Sequence, residues 1–494
     1  MARSSRAAAG VAHSVTLGSV TIATNVLLLP LVLSTVGASS YGLWLFVLSV
    51  ASFATFADLG VSSAVVHYSA PARVRAHRPH YEGVLQAAAL ISCLAALIVA
   101  PATYAVATLY LDSEGLQGSV LPVLAATVAA GVGFKPGLAL LQSDGRYLVE
   151  RRLQLLNPVL RIIGTVLVCI WVPKIEAIAL VETVAILVPS LAGSALVPWK
   201  RLLRRTPWRV LKVALATLVG YGTRALSVAL VGTALMQGGT IIVGIRGTPA
   251  DVTYWNAAFR VYLAARQANG WVVLPFLPVL TRLFRNQRTA AMSIVEGVTS
   301  ASVLTTILGV GAFIPISFLV VGIWLGPAVP GAEVAITISV LLIGLVLNSV
   351  HGPLSMIAEA ARRPGLFLPP QVFWLLALVV SGLPLFSMAG IVGVAVALSW
   401  PLLVVEPWYL VRARSALGIP LRGWWANCFR PGILVGGCGA VAAVGMYVAN
   451  PWANTPAGAI LTSASFVAGF AAASVLSRKL LPLAAIRHAL RAEL

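Results

Sequence analysis

Residues 84–111, VLQAAALISCLAALIVAPATYAVATLYL, decide the fold. These 28 residues carry no charge, and at 1.5 Å per residue a helix of that length exceeds the roughly 30 Å of bilayer hydrocarbon. Arg73, Arg75 and Arg78 precede the stretch, and Asp112 and Glu114 follow it. It therefore reads as a membrane span that leaves a cation-rich side and ends on an acidic one.

The same pattern extends outward in both directions. About fourteen apolar runs are legible: 12–36, 41–69, 84–111, 119–142, 154–173, 175–198, 213–239, 252–280, 295–325, 331–357, 367–386, 388–411, 430–449 and 456–477. Of the 494 residues, 59% are hydrophobic and only 10% charged, with a mean hydropathy of +0.94. That is too little polar surface to cover a water-facing globule of this size. The fold class is all-α, a polytopic membrane protein.

The formal charge of +20 could suggest nucleic acid, but the placement of the cations excludes that need. Arg3 and Arg6 lie before the first run; Arg146, Arg151 and Arg152 flank the fifth. A dense group runs from Lys200 to Lys212, and Arg282, Arg285, Arg288, Arg362 and Arg363 occupy later alternate loops. Arg412, Arg414, Arg422 and Arg430 precede the last two runs, and Arg478, Lys479, Arg487 and Arg491 follow them. Such alternation is the positive-inside pattern and puts both termini in the cytoplasm. Anionic lipid headgroups are sufficient partners for these loops.

The first run is too long for a cleaved signal and lacks a small-x-small cleavage site. Cys93, Cys169, Cys428 and Cys438 fall in or beside spans without a CxxC pair, and the six His lack zinc-binding spacing, so neither disulfide nor metal is expected. No GxSxG, GxxxxGK[ST] or HExxH motif stands in a supporting context. The longest hydrophilic interruption, WKRLLRRTPWRVLK at 199–212, divides the chain. The expected organisation is an N-terminal six-helix lobe at 1–198, this basic linker, and a C-terminal six-helix lobe at 213–411. A cytoplasmic interfacial segment at 412–429 and two additional helices with a tail at 430–494 complete it.

Charges inside spans are costly and so mark candidate sites. They are Asp58, Lys135, Arg161, Glu182, Arg224, Arg260, Arg266 and Glu406. Arg224 stands about 18 Å along a helix from Lys212, near mid-membrane. On one later span Asn256, Arg260 and Gln267 align in one strip, and Tyr262, Arg266 and Asn269 in another. Two polar strips imply a helix bordering a hydrated space. Cations exceeding anions at that depth favour an anionic ligand, and guanidinium suits phosphate oxygens. The competing reading pairs Arg224 or Arg266 with Asp58 or Glu182, and gives Arg161 a local salt bridge or a snorkelling role. Pro30, Pro275, Pro278 and Pro353 are further candidate helix breaks.

Pro30-Leu31 through Gly37, Tyr41-Gly42-Leu43-Trp44, and Asp58-Leu59-Gly60 with Ser63 resemble the opening of bacterial polysaccharide export proteins. These are the lipid-linked oligosaccharide flippases of the multidrug/oligosaccharidyl-lipid/polysaccharide exporter superfamily. Tyr254 to Arg260 and Pro275-Phe276-Leu277-Pro278-Val279-Leu280-Thr281-Arg282 are similar to the eighth helix of the same family. The resemblance implies two six-helix lobes around a central, typically cationic cavity, plus two C-terminal helices. It also implies carriage of undecaprenyl-pyrophosphate-linked glycan by alternating access. At Asn25, where some related lipid flippases carry a cation, this chain departs from the pattern.

The functional expectation is a flippase moving such a lipid-linked oligosaccharide from the cytoplasmic to the outer leaflet of the bacterial inner membrane for polysaccharide biosynthesis. Arg224 and Arg266 would hold the pyrophosphate, with Arg260 assisting. Asn256, Gln267, Asn269 and Tyr221 would meet sugar or water. Asp58 is a candidate counter-ion or a coupling residue for H+ or Na+, no other cofactor being expected. Other polysaccharide biosynthesis proteins are candidate partners. A cation-coupled small-molecule efflux transporter is the main alternative, and a membrane glycan polymerase or ligase a weaker one, since the loops are too short for a catalytic domain.

Overall fold

The computed structural model describes residues 2–53, 65, 78–143, 146–196, 206–273, 276, 280, 283, 288–327, 329–361, 363–418, 421–452 and 454–476. Within them, ten helices are long and apolar enough to cross a membrane. Hydrocarbon offers no partner to backbone N–H and C=O groups, so each segment satisfies its own as a helix. The protein is an all-α polytopic membrane protein. Its chain divides into two compact units, Met1–Thr253 and Tyr254–Leu494.

The first unit holds α1 (Ala2–Val36), α2 (Ala38–Phe53), α3 (Arg78–Ser113), α4 (Leu121–Ala130), α5 (Lys135–Ser143), α6 (Tyr147–Trp171), α7 (Ile175–Ala195) and α8 (Trp208–Arg246). Pro30 does not break α1, which continues to Val36. Membrane helices tolerate proline where neighbouring groups take up the freed carbonyl. The expected run at 119–142 is instead interrupted by a 3-10 turn at Gly131–Phe134. Small residues there admit α7: the Ser194 hydroxyl donates to Phe134 O at 2.8 Å, and a Cβ at Gly137 would meet the Ser194 backbone at 2.5 Å. A core of Val84, Leu85, Ala88 and Ile91 on α3 packs with Leu140 on α5 and with Ala214 and Leu218 on α8. Helix α8, which the sequence assigns to the C-terminal lobe, thus packs within the first unit.

Helix α9 (Pro249–Val273) carries the division between the units. Its first turn belongs to unit one, where Thr253 Oγ1 donates to Ala38 O at 2.7 Å. A Cβ at Gly42 would stand 1.6 Å from the Pro249 carbonyl oxygen, so only glycine permits this approach of α2 to the start of α9.

The second unit continues with α10 (Arg288–Phe313), α11 (Ser317–Leu325), α12 (Gly331–Asn348), α13 (His351–Ala360), α14 (Leu368–Ser399), α15 (Leu402–Leu417), α16 (Arg430–Ala449) and α17 (Pro456–Leu476). Pro275 and Pro278 lie outside the described residues, and the bend near Pro353 falls at Ser349–Val350, between α12 and α13. Helix α14 reverses at Ala389–Gly390, where Gly390 has φ 56° and ψ −139°, a region that side chains rarely adopt. The two legs lie antiparallel: Trp374 Nε1 donates to Leu398 O at 2.8 Å and Trp400 Nε1 to Ser381 Oγ at 3.0 Å. Helices α16 and α17 form a hairpin whose Phe466 fills the space above Gly311 of α10 and Gly439 of α16.

Gly42→Val should force α2 away from the start of α9 and lower the melting temperature of the detergent-solubilised protein, a cost of about 1–3 kcal/mol for overpacking. Gly232→Val, where a Cβ meets nothing within 4 Å, should leave the melt nearly unchanged.

Candidate functional site

Among the described residues, two groups of polar side chains within the spans bear on the site, one in each unit. In unit two, α9 turns its aromatic residues into a ladder: Trp255 stacks on Phe259 at 5.6 Å and Phe259 on Tyr262 at 5.3 Å between ring centroids. The ladder ends at Arg266, whose Nη1 donates to the buried Tyr262 hydroxyl at 3.2 Å, one helical turn away. Arg266 is itself half-buried.

The elements around it carry matching groups. Asn348 Nδ2 at the end of α12 donates to Glu406 Oε1 on α15 at 2.7 Å. The His351 and Tyr409 rings lie 4.6 Å apart, and His351 Nε2 is 3.1 Å from Ser355 Oγ. Ser302 on α10 donates to Asn269 Oδ1 at 2.6 Å and lies 2.7 Å from Ser349 O. Asn269 is therefore tied to the protein and is half-buried. Arg260 and Asn256 are also half-buried, while Gln267 is exposed. Of the expected strips on α9, the one containing Tyr262, Arg266 and Asn269 is the one anchored to named neighbours.

In unit one the strongest feature is a buried ion pair whose bonded partners span four helices. Arg161 Nη2 on α6 lies 2.7 Å from Glu182 Oε1 on α7, and its Nη1 donates to Asn25 Oδ1 on α1 at 2.7 Å. Trp44 Nε1 on α2 donates to the other carboxylate oxygen at 2.6 Å, and the Tyr41 hydroxyl reaches Oε1 at 3.4 Å. Arg161 has the local salt bridge that was one reading of it, and Glu182 is engaged there. The cation beside Asn25 comes from a different helix, a contact across 136 residues that no local spacing announces.

Tyr221 and Arg224 lie on α8, and their side chains are outside the described residues, as is Asp58. Among the described residues no group of three or more His, Cys, Asp or Glu is placed to hold a metal ion.

The helices adopt a fold shared with solved transporters of the multidrug/oligosaccharidyl-lipid/polysaccharide exporter superfamily. The lipid II flippase MurJ in an inward closed conformation aligns with a TM-score of 0.70 at 13% identity, covering 95% of this chain and 98% of that one. An inward-facing multidrug resistance MATE family transporter aligns with a TM-score of 0.60 at 16% identity, covering 82% and 94%. A transporter of the superfamily from Pyrococcus furiosus, described as having a binding pocket of reverse polarity, aligns at 0.52 and 15%, covering 83% and 95%. No curated protein matches in sequence. Residues 35–334 match the polysaccharide biosynthesis protein family, and the chain belongs to it.

Removing one member of the buried pair strands the other. Glu182→Ala should cost about 3–5 kcal/mol and abolish a cooperative melt or lower it steeply, whereas the double variant Arg161→Met with Glu182→Met should recover much of the loss. Thermal unfolding of the wild type, the single variants Arg161→Met and Glu182→Met and the double variant in one detergent measures the coupling.

Proposed function

We propose that the protein is a flippase for undecaprenyl-pyrophosphate-linked oligosaccharide, carrying it from the cytoplasmic to the outer leaflet of the bacterial inner membrane during polysaccharide biosynthesis. The observation that carries this reading is Arg266: a half-buried guanidinium held by Tyr262 in a membrane protein of the polysaccharide biosynthesis family. A pyrophosphate and a hydroxyl-rich glycan cannot enter hydrocarbon cheaply, so a carrier must offer the headgroup a polar route while the polyprenyl tail stays in lipid. Arg266 supplies bidentate donors to phosphate oxygens. Arg260 and Arg224 add positive potential, and Asn256, Gln267, Asn269 and Tyr221 meet sugar or water. The site is exposed alternately to the two leaflets. The Arg and Lys placement supports cytoplasmic termini.

The efflux alternative needs acidic groups open to a cationic substrate. Engagement of Glu182 by Arg161, Trp44 and Tyr41 weighs against that acid in such a role.

In proteoliposomes given a defined undecaprenyl-pyrophosphate oligosaccharide, the intact protein should deliver glycan to the far leaflet. Arg266→Ala should be slower by roughly 10- to 100-fold, the worth of a charge-assisted hydrogen bond, and Arg260→Ala should lose less. Full-rate transport by a correctly inserted Arg266→Ala protein would overturn the assignment.

A further inference from the structure

Arg363 and Arg412 are cations that the reading of Arg266 leaves without a task. Arg363 opens the 3-10 turn Pro364–Phe367 between α13 and α14, and Arg412 lies near the end of α15. Two reciprocal bonds cross between these segments: Arg363 Nη1 donates to Ala416 O at 3.4 Å, and Arg412 Nε donates to Leu366 O at 2.8 Å. The Leu366 N–H in turn bonds back to Arg363 O, and Arg412 and Ala416 are one helical turn apart. Both guanidiniums are therefore anchored across the same pair of turns. Arg414 adds a third, exposed cation on α15.

Each anchoring bond uses one of the five N–H donors of a guanidinium, and the rest stay available. Among the described residues the ion pairs are those of Glu150 and Glu182, in unit one. Over 351–371 and 402–418 the sequence carries four arginines against two glutamates. Of these acids, Glu406 is buried and bonded to Asn348, about 9 Å along α15 from Arg412; the side chain of Glu359 is outside the described residues. The space beside the turn is open, since a Cβ on Gly365 would meet nothing within 4 Å.

Deeper in the span both helices present apolar surface. Val404, Trp408 and Val411 share one side of α15 at i, i+4 and i+7, with Val404 and Val411 exposed. Val372 and Leu376 of α14 are exposed as well, and Phe373 meets Trp408 edge-on at 6.1 Å, which joins the two faces. The apolar span ends at Leu417, about 8 Å beyond Arg412, so this guanidinium reaches headgroup depth by extending its side chain. Fixed cations over an apolar face complement an anion over acyl chains. We propose that unit two holds an anionic phospholipid here, its phosphate taken by Arg363 and Arg412 and its chains laid along α14 and α15. The phosphate bridges the turn and α15 and tightens the clasp between them. The placement of Lys and Arg assigns this edge to the cytoplasmic leaflet, where anionic lipids gather. The proposal stands independently of Arg266.

Phosphatidylglycerol with a photoreactive diazirine at the start of one acyl chain, in phosphatidylcholine vesicles holding the full-length protein, locates the lipid. Label should map to 363–366 and 412–418, and the zwitterionic phosphatidylcholine analogue should label these turns roughly 10-fold less. That comparison uses the wild type alone. Arg363→Gln with Arg412→Gln should cut the phosphatidylglycerol label there by a similar factor. Glutamine keeps an N–H for each carbonyl, so the double variant should fold, as its melting temperature checks. Arg209→Gln, which removes an exposed cation of unit one, should leave the label unchanged. Equal labelling by the two analogues, or undiminished label in the double variant, would overturn the site. Displacement by farnesyl pyrophosphate but not by unlabelled phosphatidylglycerol would overturn it too, and make the turn a port for the transported headgroup.

Discussion

Hydrocarbon neither hydrates a charge nor accepts a hydrogen bond, and the placement of every polar group in this protein follows from that absence. The Arg161–Glu182 pair is the strongest response to it. Isolated, either group would carry a large desolvation cost; together, and with Asn25, Trp44 and Tyr41 bonded to them, they form a neutral joint among α1, α2, α6 and α7. The residues that meet there come from two pairs of neighbouring helices far apart in sequence, so the joint fixes the register of those helices against one another. Apolar packing in lipid specifies register less sharply, since lipid tails compete for the same contacts.

Close packing supplies the second constraint. Without a hydrophobic force between helices, contact must come from backbone proximity. Gly42 admits the first turn of α9, Gly164 admits Val181 of α7, and Gly311 with Gly439 receives Phe466. The breaks serve the same end. At Gly390 glycine removes the penalty for leaving helical geometry and lets α14 return against itself, while at the 3-10 turn of Gly131–Phe134 the small residues make room for α7.

These two constraints explain what was legible in the sequence. Membrane spans announce themselves locally: the apolar run at 84–111 became α3, and 367–386 and 388–411 correspond to the legs of α14 with the start of α15. Buried charges were equally legible as exceptions, so Arg161, Glu182, Arg266 and Glu406 could all be singled out. Their partners could not. Asn25 to Arg161 and Asn348 to Glu406 are contacts between helices, set by rotation and register that hydropathy does not encode. The turn within 119–142 was missed because alanine and valine continue through it and only Gly131, Gly133 and Gly137 hint at a change. Helix α8 was placed by the basic segment before it, whereas Ala214 and Leu218 pack into the α3 core.

The two polar clusters also differ in how their charge is held. In unit one the guanidinium of Arg161 meets a carboxylate directly, and that carboxylate accepts two further donors; a ligand would have to break several short bonds to enter. In unit two Arg266 donates to a neutral hydroxyl, and one carboxylate oxygen of Glu406 accepts from an amide. A hydroxyl orients a guanidinium without cancelling its charge, whereas the direct contact between Arg161 and Glu182 ties both of those groups to the fold.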